Sequence, residues 1–407
     1  MKTRDIVASL AVLLVANLWS TSASAVPAFS RQTGQACASC HFQHYPALNA
    51  YGRAFKAGGY TQTGGQSMVQ GDDLSIPVVL NASLITKIRY QRTNGSDKTV
   101  ATNTGELQFP DEAALLIGGR AYDNIGFLLE ASLTSIHADH NFGSFKTHFN
   151  NPGESGNFGA VVFSTDAGGA GYGFELLNTG AVRMQRIAED RTATSAQQFI
   201  GLGSGAAEGV AFVASSAKGF VNATFWTPDH GSVAVSGLAH YLRAALTPQL
   251  GGWDTGFGAQ YFGGKAKRTN TTTGLADDKD AKGWAVDAQA QGMIGAKPTG
   301  FYFTYGKAKP STTNVFNTAV NDKKAWSILG EVGVMPSRGT LMLGYRNGDN
   351  GAATRNKDNA LLVGGTWMVA QNIELQLSHT RYSGNKYDDP EPAAGDALTT
   401  LMLFMGF

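Results

Sequence analysis

What this chain has little of decides much of its reading. Cysteine occurs only 2 times in 407 residues. A framework of several disulfides is therefore excluded, and so is a zinc site that needs further thiolates. Charge of one sign is not in excess either: 32 lysines and arginines stand against 31 aspartates and glutamates. That balance argues against nucleic acid or a strongly acidic partner. Long apolar runs are missing as well. No stretch of about 18 apolar residues occurs, so no transmembrane helix is expected.

What is present begins with the two cysteines. Cys37-Ala38-Ser39-Cys40-His41 is a C-x-x-C-H run, the pattern of a c-type haem attachment site. The thiols sit one helical turn apart, so each can form a thioether to the same porphyrin. His41 follows and can place its imidazole on the iron. The competing reading is a Cys37–Cys40 disulfide or a redox C-x-x-C. That motif belongs in a βαβ setting, which nothing here supplies. One covalent haem c is expected, on Cys37 and Cys40, with His41 as an axial ligand.

The second axial ligand stays open. His44 is three residues from His41 and falls on the same side of the ring. Met68 is far enough along to fold back, and methionine there would raise the potential. His137, His140, His148, His230, His240 and His379 fall in the region beyond and offer imidazoles. Arg53 and Lys56 are candidates to pair with haem propionates, with ordinary solvated charge as the alternative.

The N-terminus reads as an export signal. Lys2 and Arg4 precede an apolar run from Ile6 to Trp19, and Ala23-Ser24-Ala25 is a cleavage site of the A-x-A type. The segmentation that follows is 1–25 signal peptide, 26–73 haem segment and 74–407 the remainder. Within 26–73 a helix is expected after His41. Pro46 suits its first turn, Leu48, Tyr51, Gly52 and Phe55 share one face, and Gly58-Gly59 ends it.

From Leu74 onward the period is two. Leu74, Ile76, Val78, Leu80, Ala82, Leu84, Thr86, Ile88 and Tyr90 alternate with mostly polar residues, which reads as one long amphipathic strand. The pattern returns over Ala113–Ala121, Ile125–Leu133 and Ile373–Leu377, and again at the C-terminus. Connections alternate between very short (Tyr122-Asp123-Asn124, Ala370-Gln371-Asn372) and long and polar (268–283, 348–359, 383–395). Short turns on one rim and long loops on the other mark an outer-membrane barrel. In hydrocarbon only helices or closed barrels satisfy the backbone. At about 20 residues per strand and connection, 74–407 makes about 16 strands. The expected fold is thus mainly β: a transmembrane antiparallel β-barrel of about 16 strands in the bacterial outer membrane. A small N-terminal helical haem segment would be lodged in its lumen.

Pro27-Ala28-Phe29-Ser30-Arg31-Gln32-Thr33-Gly34, the haem motif, and Phe42-Gln43-His44-Tyr45-Pro46 through Gly58-Gly59-Tyr60 resemble the fused monohaem cytochrome–porin family. That family includes outer-membrane ferrous-iron oxidases of iron-oxidising bacteria. The resemblance implies that Cys37, Cys40 and His41 carry the haem. It also implies that an extracellular donor, Fe²⁺ in those relatives, gives one electron that passes to a periplasmic cytochrome c. Such a chain would be an iron-oxidising electron-transfer oxidoreductase. The alternatives are a diffusion porin with a haem-containing plug or sensor, and a conduit for a different donor. Acidic residues Asp277, Asp278 and Asp280, and Asp388, Asp389 and Glu391, fall in long loops where hard oxygens could hold Fe²⁺. Because one haem must serve a core about 30 Å thick, the iron is expected nearer the donor than the periplasmic rim.

Overall fold

The computed structural model describes residues 27–72, 74–133, 142–181, 187–269 and 273–407. The signal segment 1–25, and with it Lys2, Arg4 and the cleavage site, lies outside the described residues, as do His137 and His140.

The strands of the second region close on themselves. In chain order they are β1 Ala82–Thr93, β2 Glu106–Tyr122, β3 Ile125–Ser132, β4 Phe142–Gly153, β5 Gly156–Thr165, β6 Ala207–Ser216, β7 Gly219–Thr227 and β8 Ala239–Leu246. The barrel continues through β9 Trp253–Gly263, β10 Gly283–Ile294, β11 Lys297–Ala308, β12 Lys323–Met335, β13 Gly339–Asp349, β14 Asn359–Ala370, β15 Ile373–Ser383 and β16 Ala397–Gly406. Each pairs antiparallel with the next, and β16 closes on β1 with Leu401 opposite Tyr90. Among the described residues this is a 16-stranded barrel, with the two-residue stub Gln249–Leu250 pairing within one turn. No described helix is long and apolar enough to cross a membrane; the strands do the crossing.

The period-two pattern explains the wall. Along β12, Trp326 and Ile328 point outward and are exposed, while Ser327, Leu329 and Glu331 point inward and are buried. The same holds for Leu375 and Leu377 against Glu374 and Gln376. Apolar side chains face out and polar ones face in, the inverse of a soluble core and the pattern of a barrel in lipid. Aromatic pairs sit on the outer face near the long-loop ends: Trp284 with Tyr305 at 5.3 Å, Trp326 with Tyr345 at 5.5 Å. Trp253 and Trp367 mark the short-turn end. These are interfacial girdles. The architecture defines a multi-pass outer-membrane β-barrel.

The long strand expected from Leu74 is two pieces. Leu74–Pro77 folds back on Met68–Gly71 as a separate hairpin, and the barrel begins at Ala82. Alternation fixes faces but not partners. Pro77 has no N–H to carry a ladder onward, and Val78 turns its N–H to the Ser67 carbonyl instead. Leu80, expected to face lipid from a strand, precedes the barrel and is 64% exposed in a run with Val78 and Val79.

The connection between β5 and β6, residues 166–206, carried no strong signal. It folds back inside the wall. Phe174, Leu177, Ala181, Ala193, Ile200 and Leu202 are fully or almost fully buried. The short helices Arg191–Thr194 and Ala196–Ile200 are capped by the side chains of Asp190 and Ser195. Ser327 and Thr304 on the wall both accept from the Ala196 N–H.

Candidate functional site

The N-terminal segment is three short helices joined by turns. Helix α1 covers Ala28–Thr33, α2 Cys37–Cys40 and α3 Ala50–Ala57. The C-x-x-C pair therefore spans one helical turn, with His41 leaving it in an extended conformation. Helix α3 starts later than Pro46. Asn49 caps it, accepting from the Gly52 N–H at 2.9 Å, and residues 41–48 form a tight loop closed by a His41–Leu48 bridge. Gly58 caps its C-terminus and Gly59 is left-handed at φ 66°. Glycine is required at position 52, because a Cβ there would collide with the Cys40 carbonyl. Helices α2 and α3 thus pack backbone to backbone.

This segment is clamped to inward-facing side chains around the barrel. The His44 imidazole donates from Nε2 to Glu331 of β12 at 2.6 Å, with both side chains fully buried. The Tyr45 N–H donates to Glu374 of β15 at 2.8 Å, and its hydroxyl to the Gln371 carbonyl in the β14–β15 turn. Arg53 donates to Asp254 of β9 at 2.7 Å. Asn157 of β5 donates to the Ala57 carbonyl at 3.0 Å. Asn178, from the inward connection, exchanges two bonds with the backbone of Leu48 at 2.8 and 2.9 Å. Tyr60 packs edge-on to His148 of β4 at 5.3 Å. The Gly59 carbonyl fills the space a Cβ would need at Gly126 of β3. Burial opposes charge on His44, yet Glu331 and Glu374 outweigh it and raise its pKa to about 9.

These anchors all lie at the short-turn ends of their strands. Cys37 lies beside Tyr45, Tyr45 stacks near Phe404 at 5.5 Å, and Gly34, Gln35, Ala36 and Ala38 are exposed. The haem motif is therefore at the short-turn rim. This corrects the expectation that the iron would lie nearer the long-loop side, which had treated distance to an external donor as the deciding term. The polar partners that fix the segment, Glu331, Glu374 and Asp254, are inward carboxylates near the short turns.

The donor set suits covalent haem. Both thiols are free and neither is fully buried. The His41 Nδ1–H is 3.3 Å from the Ala47 carbonyl and donates to it, which fixes the ring and leaves Nε2 for a metal. The other candidate residues are spread more widely. Arg53 is committed to Asp254. Lys56 is buried, and burial pulls its pKa down to about 8 against the opposing pull of Glu175. Met68 opens the hairpin that bonds, through Ser75, to Arg120 of β2, whereas His41 packs on Tyr45 at 4.7 Å. His44 is committed to Glu331. His148 is inward, while His379 lies on the outer face.

A second group was not visible in the sequence. Arg243 of β8 reaches Glu175 at 2.8 Å and Asp287 of β10 at 2.6 Å, with all three side chains fully buried. It ties the inward connection to β8 and β10, which flank β9 on one side of the wall. Glu189 and Asp190, from the same connection, bond Arg89 and Tyr382. Their signal, one acid between Phe174 and Leu176 and an adjacent pair before Arg191, is not distinctive. In the long loops Asp278 pairs with Lys267 at 2.6 Å and Asp280 with Lys282 at 2.8 Å. These acids already have counter-charges.

No protein-family model matches the chain, and no curated protein sequence matches it. Solved structures similar in outline are outer-membrane proteins. One is OmpT of Vibrio cholerae, at 12% identity and TM-score 0.45, covering 84% of this chain and 100% of that one. Another is a mutant porin of Rh. blastica, at 11% identity and TM-score 0.49, covering 81% and 100%. A third is Salmonella typhi OmpF bound to daunomycin, at 11% identity and TM-score 0.47, covering 84% and 100%. At that level of similarity the class rests on the barrel's own closure and inverted polarity.

Proposed function

We propose that this chain is a porin-type barrel closed at its periplasmic mouth by a haem-carrying plug, and that one-electron transfer at that plug is its work. The observation that supports this most is the clamp. The segment bearing C-x-x-C-H is bonded to inward side chains of β5, β9, β12 and β15 and packs on β3 and β4. The connection between β5 and β6 fills the interior beyond it. A barrel so filled suits solute diffusion poorly and suits a fixed redox group well.

Cys37 and Cys40 would hold the haem through thioethers, and His41 would be an axial ligand. Bound haem supplies reversible one-electron chemistry. The chain's residues do the positioning. Ala47 orients His41, Gly52 lets α3 lie against the motif, and His44, Tyr45 and Arg53 fix the segment to the wall. The exposed Gly34–Ala36 stretch leaves the motif open to a partner such as a periplasmic cytochrome c. The resemblance to fused cytochrome–porins proposes Fe²⁺ as the extracellular donor. A second reading, a diffusion porin with a haem plug or sensor, is favoured by the porin architecture itself.

One experiment separates them. The haem-loaded protein is oriented in vesicles, and reduction is followed at the Soret band with Fe²⁺ or an impermeant reductant on one side at a time. Electron transfer predicts rapid reduction from the short-turn side, and slower but measurable reduction by Fe²⁺ from the long-loop side. No reduction by Fe²⁺ from either side would sink iron oxidation. Ion flux that changes with haem redox state would favour the gated porin.

A further inference from the structure

Three features beyond the C-x-x-C-H motif could form a site: the buried basic trio Lys56, Lys146 and His148; the loop acids; and a pocket on the barrel's outer wall. The pocket carries an inference, and it stands independently of the proposed redox role.

Three strands meet there. On the outward face, Leu377, Leu401 and Tyr90 are cross-strand neighbours on β15, β16 and β1. Two residues further toward the long loops, His379, Thr399 and Arg92 form the next row on the same face. The surface passes in one step from an apolar row to a polar, basic one. That is the level where acyl chains give way to headgroups. The His379 Nδ1 is 2.9 Å from the Thr399 hydroxyl, which orders the ring.

The 94–105 loop then folds over this row. Together they outline an open surface pocket of about 370 Å³ lined by Arg92, Lys98, His379, Thr399 and Asn94. Arg92, Lys98 and His379 are exposed. No described carboxylate is in ion-pair distance of Arg92 or Lys98. The nearby acids are engaged elsewhere: Asp396 with Arg381 and Asn94, Asp97 with Thr99. On β10 to β13 the corresponding outer face carries Trp284, Tyr305, Trp326 and Tyr345 instead. Outward lysines also occur there, Lys307 on β11 opposite Lys324 on β12, but Lys307 is paired with Asp322.

We infer that this pocket is a binding site for a phosphorylated lipid headgroup of the outer leaflet, with Arg92 and Lys98 donating to phosphate oxygens and His379 and Thr399 completing the site. The apolar row below it, Leu377, Leu401 and Tyr90, would pack the acyl chains. Arginine matches phosphate with two parallel donors. Lysine on a loop adds a point charge that reaches down from above.

The test uses the full-length haem-loaded barrel, delipidated in detergent. Bisphosphorylated lipid A and its dephosphorylated form are each titrated by native mass spectrometry. The expected result is tighter binding of the phosphorylated form. The Arg92→Ala/Lys98→Ala variant should lose on the order of tenfold or more, the equivalent of one charge-assisted hydrogen bond. Lys98→Ala alone, in an exposed loop that cannot disturb the wall, should lose part of it. Equal binding of both lipids, or unchanged binding by the variants, would overturn the inference. Inorganic phosphate should fail to displace the lipid. Complete displacement by phosphate alone would overturn the lipid assignment in favour of a small anion.

Discussion

Two stretches of this chain bond to inward-facing residues of the barrel wall, and they differ in kind. Residues 27–60 carry a motif with plain chemistry and are held by a few polar clamps at the short-turn rim: His44 to Glu331, Tyr45 to Glu374, Arg53 to Asp254. The connection between β5 and β6 carries no motif, yet it is buried almost throughout and builds a core with the wall through Tyr172, Ile200 and Leu202. The first is attached, the second is packed. Attachment by discrete charged bonds can be loosened one bond at a time, whereas a packed core fails together. That difference suits a removable or chemically loaded element at the mouth and a fixed filling beyond it.

The comparison can be broken most sharply at the motif. Cys37→Ala and Cys40→Ala are each expected to abolish normal covalent haem while the barrel still inserts, because the thiols touch no wall strand's ladder. Haem staining of a gel that also resolves the heat-modifiable folded band reads both. Undiminished covalent haem in both variants would remove the basis of the haem assignment.

Next comes the packed stretch. Arg243→Ala leaves Glu175 and Asp287 buried without their shared cation. The expected cost is about 3–5 kcal/mol, the price of stranding a buried charge. Urea titration of the folded barrel in bilayers checks it. A loss under about 1 kcal/mol would mean that water reaches the triad and that the interior is not packed as described.

The wall gives a smaller effect. Leu401→Arg on the outer face, one row inside the proposed headgroup level, should cost about 1 kcal/mol, against about 2–4 kcal/mol for an arginine at the bilayer midplane. An arginine at Asn81 is not benign either, since Asn81 is buried and bonds Gln32 at 2.9 Å. Tolerance of Leu401→Arg in a bilayer-folding assay would contradict the outward assignment.

The smallest effect is on the clamp itself. The pKa of His44 is raised from 6.5 to about 9 in the folded chain. Its contribution is therefore complete below pH 6.5 and is lost as pH rises through about 9. Protease access to residues 27–60 should increase over that window while the barrel stays intact. His44→Gln should flatten the dependence. An unchanged pH profile in that variant would show that His44 is not the titrating clamp.

The legibility of the molecule follows from the same contrast. The C-x-x-C-H run stands out in sequence because two cysteines and a histidine at fixed spacing suggest a chemistry without reference to neighbours. The wall was readable because lipid imposes period two on its strands, while the strand number came from the length of 74–407 at about 20 residues per strand and connection. The hairpin at Met68–Pro77 was misread because alternation does not name a partner. The inward connection was not read at all. Phe174, Leu177 and Ile200 are too sparsely spaced to form a helix or strand face, and their burial depends on wall residues far along the chain, such as Phe220, Gly256 and Gly306. The depth of the motif was misjudged because Glu331 and Glu374, which fix it, look in sequence like ordinary inward strand residues.

Single-channel recording of the intact, haem-loaded protein in a planar bilayer tests the central claim most directly. A barrel closed by residues 27–60 and filled by the inward connection should show no porin-sized steps, and deleting residues 27–72 should raise the conductance. Steps of ordinary porin size from the intact chain, unchanged by the deletion, would contradict the account.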